Sequence, residues 1–213
     1  MGIAKMNSSL LDLRVKEFFE KMAQNPPPGG GSAAALAGLM GVSLLEMAAV
    51  VSEKHLPGER LAAVQNELTG LHRELSSLVD RDAKVLAEVL PLLSGAGSAD
   101  GSGSAETGNA VQRAISVPMS IARSCVRGLE AGRRLLPDAA GHVLGDLLLG
   151  VLLCHNAVTG ALLMTAVNLP FMDDTAVQED CKAQMKILEH AAKALTDELK
   201  ETVYAQEPYQ CMK

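Results

Sequence analysis

The feature that most restricts the fold is a run of about twenty small or apolar residues that directly follows a proline and glycine cluster. Residues 25–50 read NPPPGGGSAAALAGLMGVSLLEMAAV. Prolines do not continue a helix and Ser32 is a good N-cap, so a helix is predicted over about 32–52. The glycines are expected to allow tight or positive-φ turns before it. A helix this apolar must be buried in a core, an oligomer interface or a membrane.

The rest of the chain predicts further helices. Apolar residues make up 48% of the 213 residues and aromatic residues only 2%, and a core of Ala, Leu, Val and Met favours packed helices over sheets. The other predicted helices run from Ser8 or Ser9 to about 24, and over 59–90, 109–136 with a kink at Pro118, and 143–167. The last predicted helix starts near Asp173, Asp174 or Thr175, where acids suit a helix start, and ends at about Tyr204. The Gly/Ser-rich residues 94–108 are predicted as a flexible surface loop. We predict one all-α domain over residues 1–213, an up-and-down bundle of five to six long helices.

Two segments, 33–51 and 143–169, approach the roughly 20 apolar residues that span a bilayer. Glu46 in the first and Asp146 and His155 in the second argue against a span, because each costs up to about 3 kcal/mol at the bilayer centre. We therefore expect a soluble bundle. The Ala/Gly-rich helix is too apolar to be covered by one subunit, which predicts a dimer.

Charge and cysteine content exclude several functional classes. The net charge of −6 argues against a nucleic-acid partner. The four cysteines lack CxxC and CxxxC spacing, and the five histidines lack HExxH spacing, so reduced thiols in a cytoplasmic protein without a metal site are expected.

Pattern alone provides a few candidate site residues. Gly29 to Ser32 matches neither a Walker A loop nor a dinucleotide fingerprint, but backbone amides at a helix start can receive an anion. The alternative is a tight turn with an N-cap. Glu46 and Asp146 lie in apolar helices, where a carboxylate must be hydrogen-bonded, paired or protonated. Asp82 is ordinary on pattern alone, as a solvated acid of an amphipathic helix.

Several motifs together carry a family likeness. Residues 26–50 strongly resemble the Pro-x-Pro-Gly-Gly-Gly-Ser opening and Ala/Gly helix of the formimidoyltetrahydrofolate cyclodeaminase and methenyltetrahydrofolate cyclohydrolase family. Residues 78–83 (LVDRDA), 114–119 (AISVPM) and Asn168-Leu169 followed by Asp174 are similar to further segments of that family. The resemblance extends from about Val15 to Leu199.

The resemblance implies an all-α, dimeric, cytoplasmic enzyme of folate one-carbon metabolism, without a tightly bound cofactor or metal. Its substrate would be a tetrahydrofolate derivative with a glutamate or polyglutamate tail, either hydrolysed as the 5,10-methenyl form or deaminated as the 5-formimino form. Asp82 is the first choice for the catalytic acid or base and Asp146 the second. The implied substrate-binding residues are Pro28, Gly29, Gly30, Gly31, Ser32, Lys54, His55 and Asn168. Lys54 and His55 are predicted to receive tail carboxylates together with the start of the glycine helix.

Three positions depart from the family pattern. Val50 and Met164 stand where the family has asparagine, and Gly145 where it has serine. Loss of these polar groups affects catalysis more than the fold, so the alternative to an enzyme is a catalytically altered member that acts as a folate-binding or protein-interaction scaffold.

Overall fold

The computed structural model describes residues 9–24, 26–93 and 103–212, which form six α-helices and no strand. The helices are α1 (Val15–Gln24), α2 (Gly30–His55), α3 (Glu59–Leu93), α4 (Gly103–Leu135), α5 (Leu144–Asn168) and α6 (Thr175–Tyr204). Five of them are at least 25 residues long. The predicted all-α fold of five to six helices is confirmed.

Helix α2 is the centre of the bundle and packs against α3, α4 and α5. Glycines let the backbones of α2 and α5 meet, because a Cβ atom on Gly41 would lie 2.7 Å from the carbonyl oxygen of Gly150. Ala34 meets Gly160 in the same interface. Since rising numbers in α2 pair with falling numbers in α5, the two helices are antiparallel. The start of α2 therefore lies beside the end of α5.

Helix α3 places its predicted apolar stripe in the core. The members of that stripe are all buried: Leu61, Val64, Leu68, Leu71, Leu75, Leu78 and Val79. Because 3.6 residues make a turn, residues spaced three and four apart share one face. The same periodicity carries Asp82 to the inward side of α3, where it is only 8% exposed.

The outer faces of α2 and α5 remain apolar and uncovered. Met40 is 53% exposed on α2, and Leu149 and Leu163 are 49% and 58% exposed on α5. Helix α2 and the segment Gly141–Phe171 are long and apolar enough to cross a membrane by length and composition, and half of each apolar window is buried inside the protein. The dimer stays a prediction.

Several predicted boundaries were wrong. Helix α1 begins at Val15, because the Glu17 side chain reaches back and accepts the backbone N–H of Arg14, as the glutamate of a capping box does. Ser9 caps a separate 3₁₀ turn, Leu10–Asp12. Ser8 lies outside the described residues. Of the predicted loop, 94–102 lie outside the described residues and 103–108 belong to α4. Helix α4 includes Pro118, as predicted for a helix over 109–136.

Candidate active site

The start of α2 is held by a carboxylate from α3. The Ser32 hydroxyl donates to Asp82 Oδ2 at 2.8 Å, and the Ser32 backbone N–H donates to the same carboxylate. Gly29 occupies the N-cap position and offers no side-chain bond. The first backbone N–H groups of a helix have no partner within the helix, and Asp82 accepts one of them. Ser32 was predicted as the N-cap, but Asp82 takes that role from α3.

The glycine triplet provides space and not unusual backbone angles. Gly29 is extended, with φ −123° and ψ −161°, and Gly30 and Gly31 already belong to α2. A Cβ atom on Gly29 would lie 2.6 Å from Leu86 Cδ2, one on Gly30 2.7 Å from Met164 Sδ, and one on Gly31 2.5 Å from Asp82 Cγ. The expected positive-φ turns are therefore absent at this triplet, and each glycine admits a side chain from α3 or α5.

A small cavity of about 100 Å³ lies between the start of α2, the second half of α3 and the end of α5. Its wall is mostly aliphatic, from four valine and leucine side chains with one alanine and one methionine. Asp82 is the one titratable side chain among the described residues that line it. The main lining residues are Gly30, Gly31, Asp82, Ala114, Met164 and Asn168.

Asn168 supplies the second polar side chain of the cavity. Its Nδ2 group donates to the carbonyl oxygens of Ala114, at 3.0 Å, and Met164, at 2.8 Å. An amide group has two N–H donors, so Oδ1 is the atom that remains for another partner. Both polar side chains, Asp82 and Asn168, thus offer oxygen acceptors and suit a ligand that carries N–H donors or positive charge.

Burial raises the pKa of the Asp82 carboxyl, while the hydrogen bonds from the Ser32 hydroxyl and backbone N–H oppose the rise. No cation contributes to this balance. A buried carboxyl without a cationic partner holds its proton to a higher pH than an exposed aspartate. It is therefore better matched to accept a proton and return it during a reaction near neutral pH.

The sequence profile of the formiminotransferase-cyclodeaminase family matches residues 14–187. The chain belongs to this family. The crystal structure of formiminotetrahydrofolate cyclodeaminase from Thermotoga maritima matches with a TM-score of 0.83 and 22% identity, over 92% of this chain and 98% of that chain. At this identity the match shows the shared fold. No curated protein sequence matches significantly.

For this member of the cyclodeaminase family, the structure brings together part of the predicted site. Gly30, Gly31, Asp82 and Asn168 line one cavity, and Ser32 is bonded to Asp82. Pro28 is buried immediately before Gly29, and the cavity wall does not include it.

The remaining predicted residues lie at the opposite end of the bundle. Lys54 follows Gly31 by 23 positions on one helix, which corresponds to about 35 Å. His55 packs its ring edge-on against His142, with centroids 5.5 Å apart. Lys54 and His55 therefore cannot join the glycine triplet of the same chain in one anion site, so the predicted site does not form within one chain.

Asp146, the second catalytic candidate, is also remote from Asp82. It lies in the first turn of α5, 18 residues or about 27 Å before the cavity residue Met164. An acid in that position stabilises the positive end of its helix. Within one chain, Asp82 and Asp146 cannot act on the same reacting group.

Glu46, the other acid in an apolar helix, has partners in the fold. Thr69 Oγ1 donates to Glu46 Oε1 at 2.5 Å, and His72 Nδ1 lies 3.3 Å from Oε2. These contacts satisfy the carboxylate at the α2–α3 interface. Glu46 is about 22 Å along α2 from Gly31 and is not part of the cavity.

The three residues that depart from the family pattern lie at opposite ends of the helix bundle. Met164 lines the cavity, whereas Val50 lies near the end of α2 and Gly145 at the start of α5. A Cβ atom on Gly145 would lie 3.1 Å from the Tyr209 hydroxyl oxygen, so the C-terminal tyrosine occupies the space beside it.

The sequence prediction missed the aliphatic wall of the cavity. Val85, Leu86 and Val89 line it from α3, at three, four and seven residues after Asp82. That spacing places them on the same helix face as Asp82 and was available in the sequence. The approach of Met164 from α5 depends on tertiary packing and had no local signal.

Proposed function

We propose that the chain acts in the cytoplasm on a C–N bond of a one-carbon unit carried by tetrahydrofolate, and specifically that it deaminates 5-formiminotetrahydrofolate. Membership of the cyclodeaminase family supports the folate substrate class. The observation that carries the proposal is the position of Asp82, a buried carboxyl that faces a cavity beside the glycine triplet.

The charge of the substrate suits this carboxyl. A formimino group is an amidine and carries a positive charge when protonated, and its nitrogens are hydrogen-bond donors. The cavity presents the Asp82 carboxylate and the Asn168 amide oxygen as acceptors. An opposite charge brought close to a buried carboxylate stabilises its ionised form, and the lower dielectric of the cavity strengthens that attraction.

The proton balance of deamination fits a single carboxyl. Nitrogen N10 of the folate attacks the formimino carbon and loses a proton, and the C–N bond to the amino group then breaks as that group leaves as ammonia. The proton removed from N10 equals the proton that the departing amine needs. Asp82 can accept the first and return the second, so the cycle needs no further titratable group. The other product is 5,10-methenyltetrahydrofolate.

Hydrolysis of 5,10-methenyltetrahydrofolate has a different balance. Addition of water to the methenyl carbon releases one net proton, which must leave the site for solvent. Among the described residues that line the cavity, Asp82 has no titratable neighbour, so it must itself release that proton to solvent in every cycle, a step that deamination does not need. The structure therefore favours deamination over hydrolysis as the proposed reaction.

A second candidate is a folate-binding or protein-interaction scaffold without catalysis. The size of the cavity favours the protein-interaction role, because about 100 Å³ is well below the roughly 300–1,000 Å³ of typical small-molecule sites. Under this proposal Asp82 serves only as the cap of α2.

We further propose that two copies pair through the outer faces of α2 and α5. The 26 residues of α2 extend about 39 Å, and two adjacent helices are about 20 Å wide, so this face covers roughly 800 Å². Stable interfaces bury about 800 Å² per partner. The exposed side chains Met40, Met47, Leu149 and Leu163 supply an apolar surface for it.

The deciding experiment supplies each folate separately and follows ammonia together with methenyl absorbance. A cyclodeaminase releases one ammonia for each methenyl group formed from 5-formiminotetrahydrofolate. Accelerated loss of methenyl absorbance without ammonia release would replace this proposal with cyclohydrolase activity. Calorimetric binding of a reduced folate without either reaction would support the scaffold. Running monoglutamate and polyglutamate forms in parallel tests whether the tail contributes to affinity.

A further inference from the structure

One side chain, Met164, packs against a glycine at the edge of the cavity that Asp82 lines. A Cβ atom on Gly30 would lie 2.7 Å from Met164 Sδ, 3.2 Å from Met164 Cε and 3.5 Å from Met164 Cγ. Three consecutive atoms of the methionine therefore run along the backbone at Gly30. Gly30 itself is exposed, so this contact lies where the cavity meets solvent.

The methionine is suited to move. Its side chain is unbranched, has three rotatable bonds and adapts to irregular spaces. Met164 is half-buried, whereas the valines Val85 and Val89 on the facing helix are buried and short. Asn168, one turn further along α5, is held by two carbonyl groups. Three side chains meet the glycine triplet: Asp82, Leu86 and Met164. Ser32 holds Asp82 by hydrogen bonds, so only Met164 and Leu86 are free to change rotamer.

We infer that Met164 determines which ligands reach Asp82, by closing the cavity at Gly30 until its side chain swings away. The cavity as described, at about 100 Å³, is too small for a pterin-sized group, so access requires a wall to move. Because the methionine must first swing away, only part of the molecules can bind at any time. This lowers the apparent affinity for every ligand that needs the larger space. For folates, this consequence rests on the proposed function.

The first test measures access without any folate. Val85 lines the cavity one turn after Asp82 and is 8% exposed, so Val85→Cys introduces a thiol as a reporter. The background carries Cys211→Ser and Cys181→Ser, because Cys211 is exposed and Cys181 is 8% exposed, as much as the reporter position. Modification by methyl methanethiosulfonate is then timed with Met164, Met164→Ala and Met164→Leu.

The expected result is a rate at least tenfold higher with Met164→Ala. Met164→Leu, which keeps most of the apolar volume, should stay within about threefold of the parent. Equal rates with Met164 and Met164→Ala would overturn the inference. The fully buried Cys125 and Cys154 serve as the control, because they react only if the bundle opens. If Met164→Ala exposes them, Met164→Val, which lacks the Sδ and Cε atoms nearest to Gly30, takes its place with the same expected result.

The second test uses ammonia release from 5-formiminotetrahydrofolate with Val85 intact. Met164→Ala should lower KM at least threefold and leave kcat within about twofold, because the change removes a barrier to entry and not a reacting group. An unchanged or higher KM would contradict the inference. If thiol access increases while neither protein releases ammonia, Met164 closure holds and the proposed function fails. If wild type releases ammonia and the thiol reacts equally fast with Met164 and Met164→Ala, the proposed function holds and Met164 closure fails.

Discussion

Replacement of Gly31 by alanine tests whether the glycine triplet exists to admit side chains. The added Cβ atom would lie 2.5 Å from Asp82 Cγ and 2.8 Å from Asp82 Oδ2, well inside van der Waals contact. The carboxyl cannot easily retreat, because the Ser32 hydroxyl and backbone N–H hold it. Either these hydrogen bonds break or the start of α2 moves away from α3.

The expected cost follows from these two responses. Overpacking a core typically costs about 1–3 kcal/mol, and losing a hydrogen bond to a charged group about 1.5–3 kcal/mol. Replacing glycine by alanine within a helix returns up to about 1 kcal/mol. We therefore expect Gly31→Ala to lower the free energy of unfolding by about 2–4 kcal/mol, or Tm by roughly 5–15 °C for a chain of this size.

Urea unfolding of Gly31→Ala beside Gly70→Ala provides the assay and its matched control. Gly70 lies inside α3, and nothing lies within 4 Å of a Cβ atom added there. Gly70→Ala should stabilise the chain by about 0.5–1 kcal/mol, through helix propensity alone. Adding Asp82→Ala to Gly31→Ala should cost less than the sum of the two single changes. If Gly31→Ala is as stable as Gly70→Ala, position 31 does not need a glycine to admit the Asp82 side chain.

Three further predictions concern helix packing, pH and assembly. Gly41→Ala should cost at least about 3 kcal/mol in urea unfolding, because the carbonyl oxygen of Gly150, 2.7 Å from the added Cβ, cannot rotate away; a cost under about 1 kcal/mol would contradict the close α2–α5 contact. Since burial raises the pKa of Asp82, the folded chain holds that proton more tightly than the unfolded chain, where the pKa is about 3.9. Urea titrations compare the unfolding free energy of wild type with that of Asp82→Asn. The difference, wild type minus variant, should fall as pH rises from about 4 through the folded pKa, and a difference that rises would contradict a raised pKa at Asp82. Met40→Glu should halve the sedimenting mass if the proposed dimer forms through α2, and an unchanged dimer would place the interface elsewhere.

The helices were predictable from the sequence because their signals are local. Apolar periodicity defined α3, and Asp174 caps α6 through hydrogen bonds to Ala176 and Val177, as the run of acids before Thr175 indicated. Boundaries shifted where a partner from outside the helix took over. Ser32 suits an N-cap by type, but the Asp82 carboxyl already meets the first turn of α2, so the helix begins earlier, at Gly30.

The candidate site was predictable only in part, for a geometric reason. A single helix of 26 residues carries both the glycine triplet and Lys54, and sequence proximity gives no warning that a straight helix separates them by about 35 Å. The burial of Asp82 also depends on which face of α3 meets α2. Family likeness pointed to Asp82, and the structure supplies the physical basis, a carboxyl in a mostly aliphatic cavity.

The most direct test of Asp82 as the proton-transfer group compares Asp82→Asn with Asp80→Asn in the ammonia-release assay. Asp80 lies on the same helix, and its Oδ1 accepts the Leu10 N–H at 2.7 Å, a role that an asparagine oxygen can keep. We expect Asp82→Asn to lower kcat by at least about 100-fold, because a general acid–base group is lost, and Asp80→Asn to stay within about threefold of wild type. Equal kcat values for wild type and Asp82→Asn, with both folded, would show that Asp82 only caps α2.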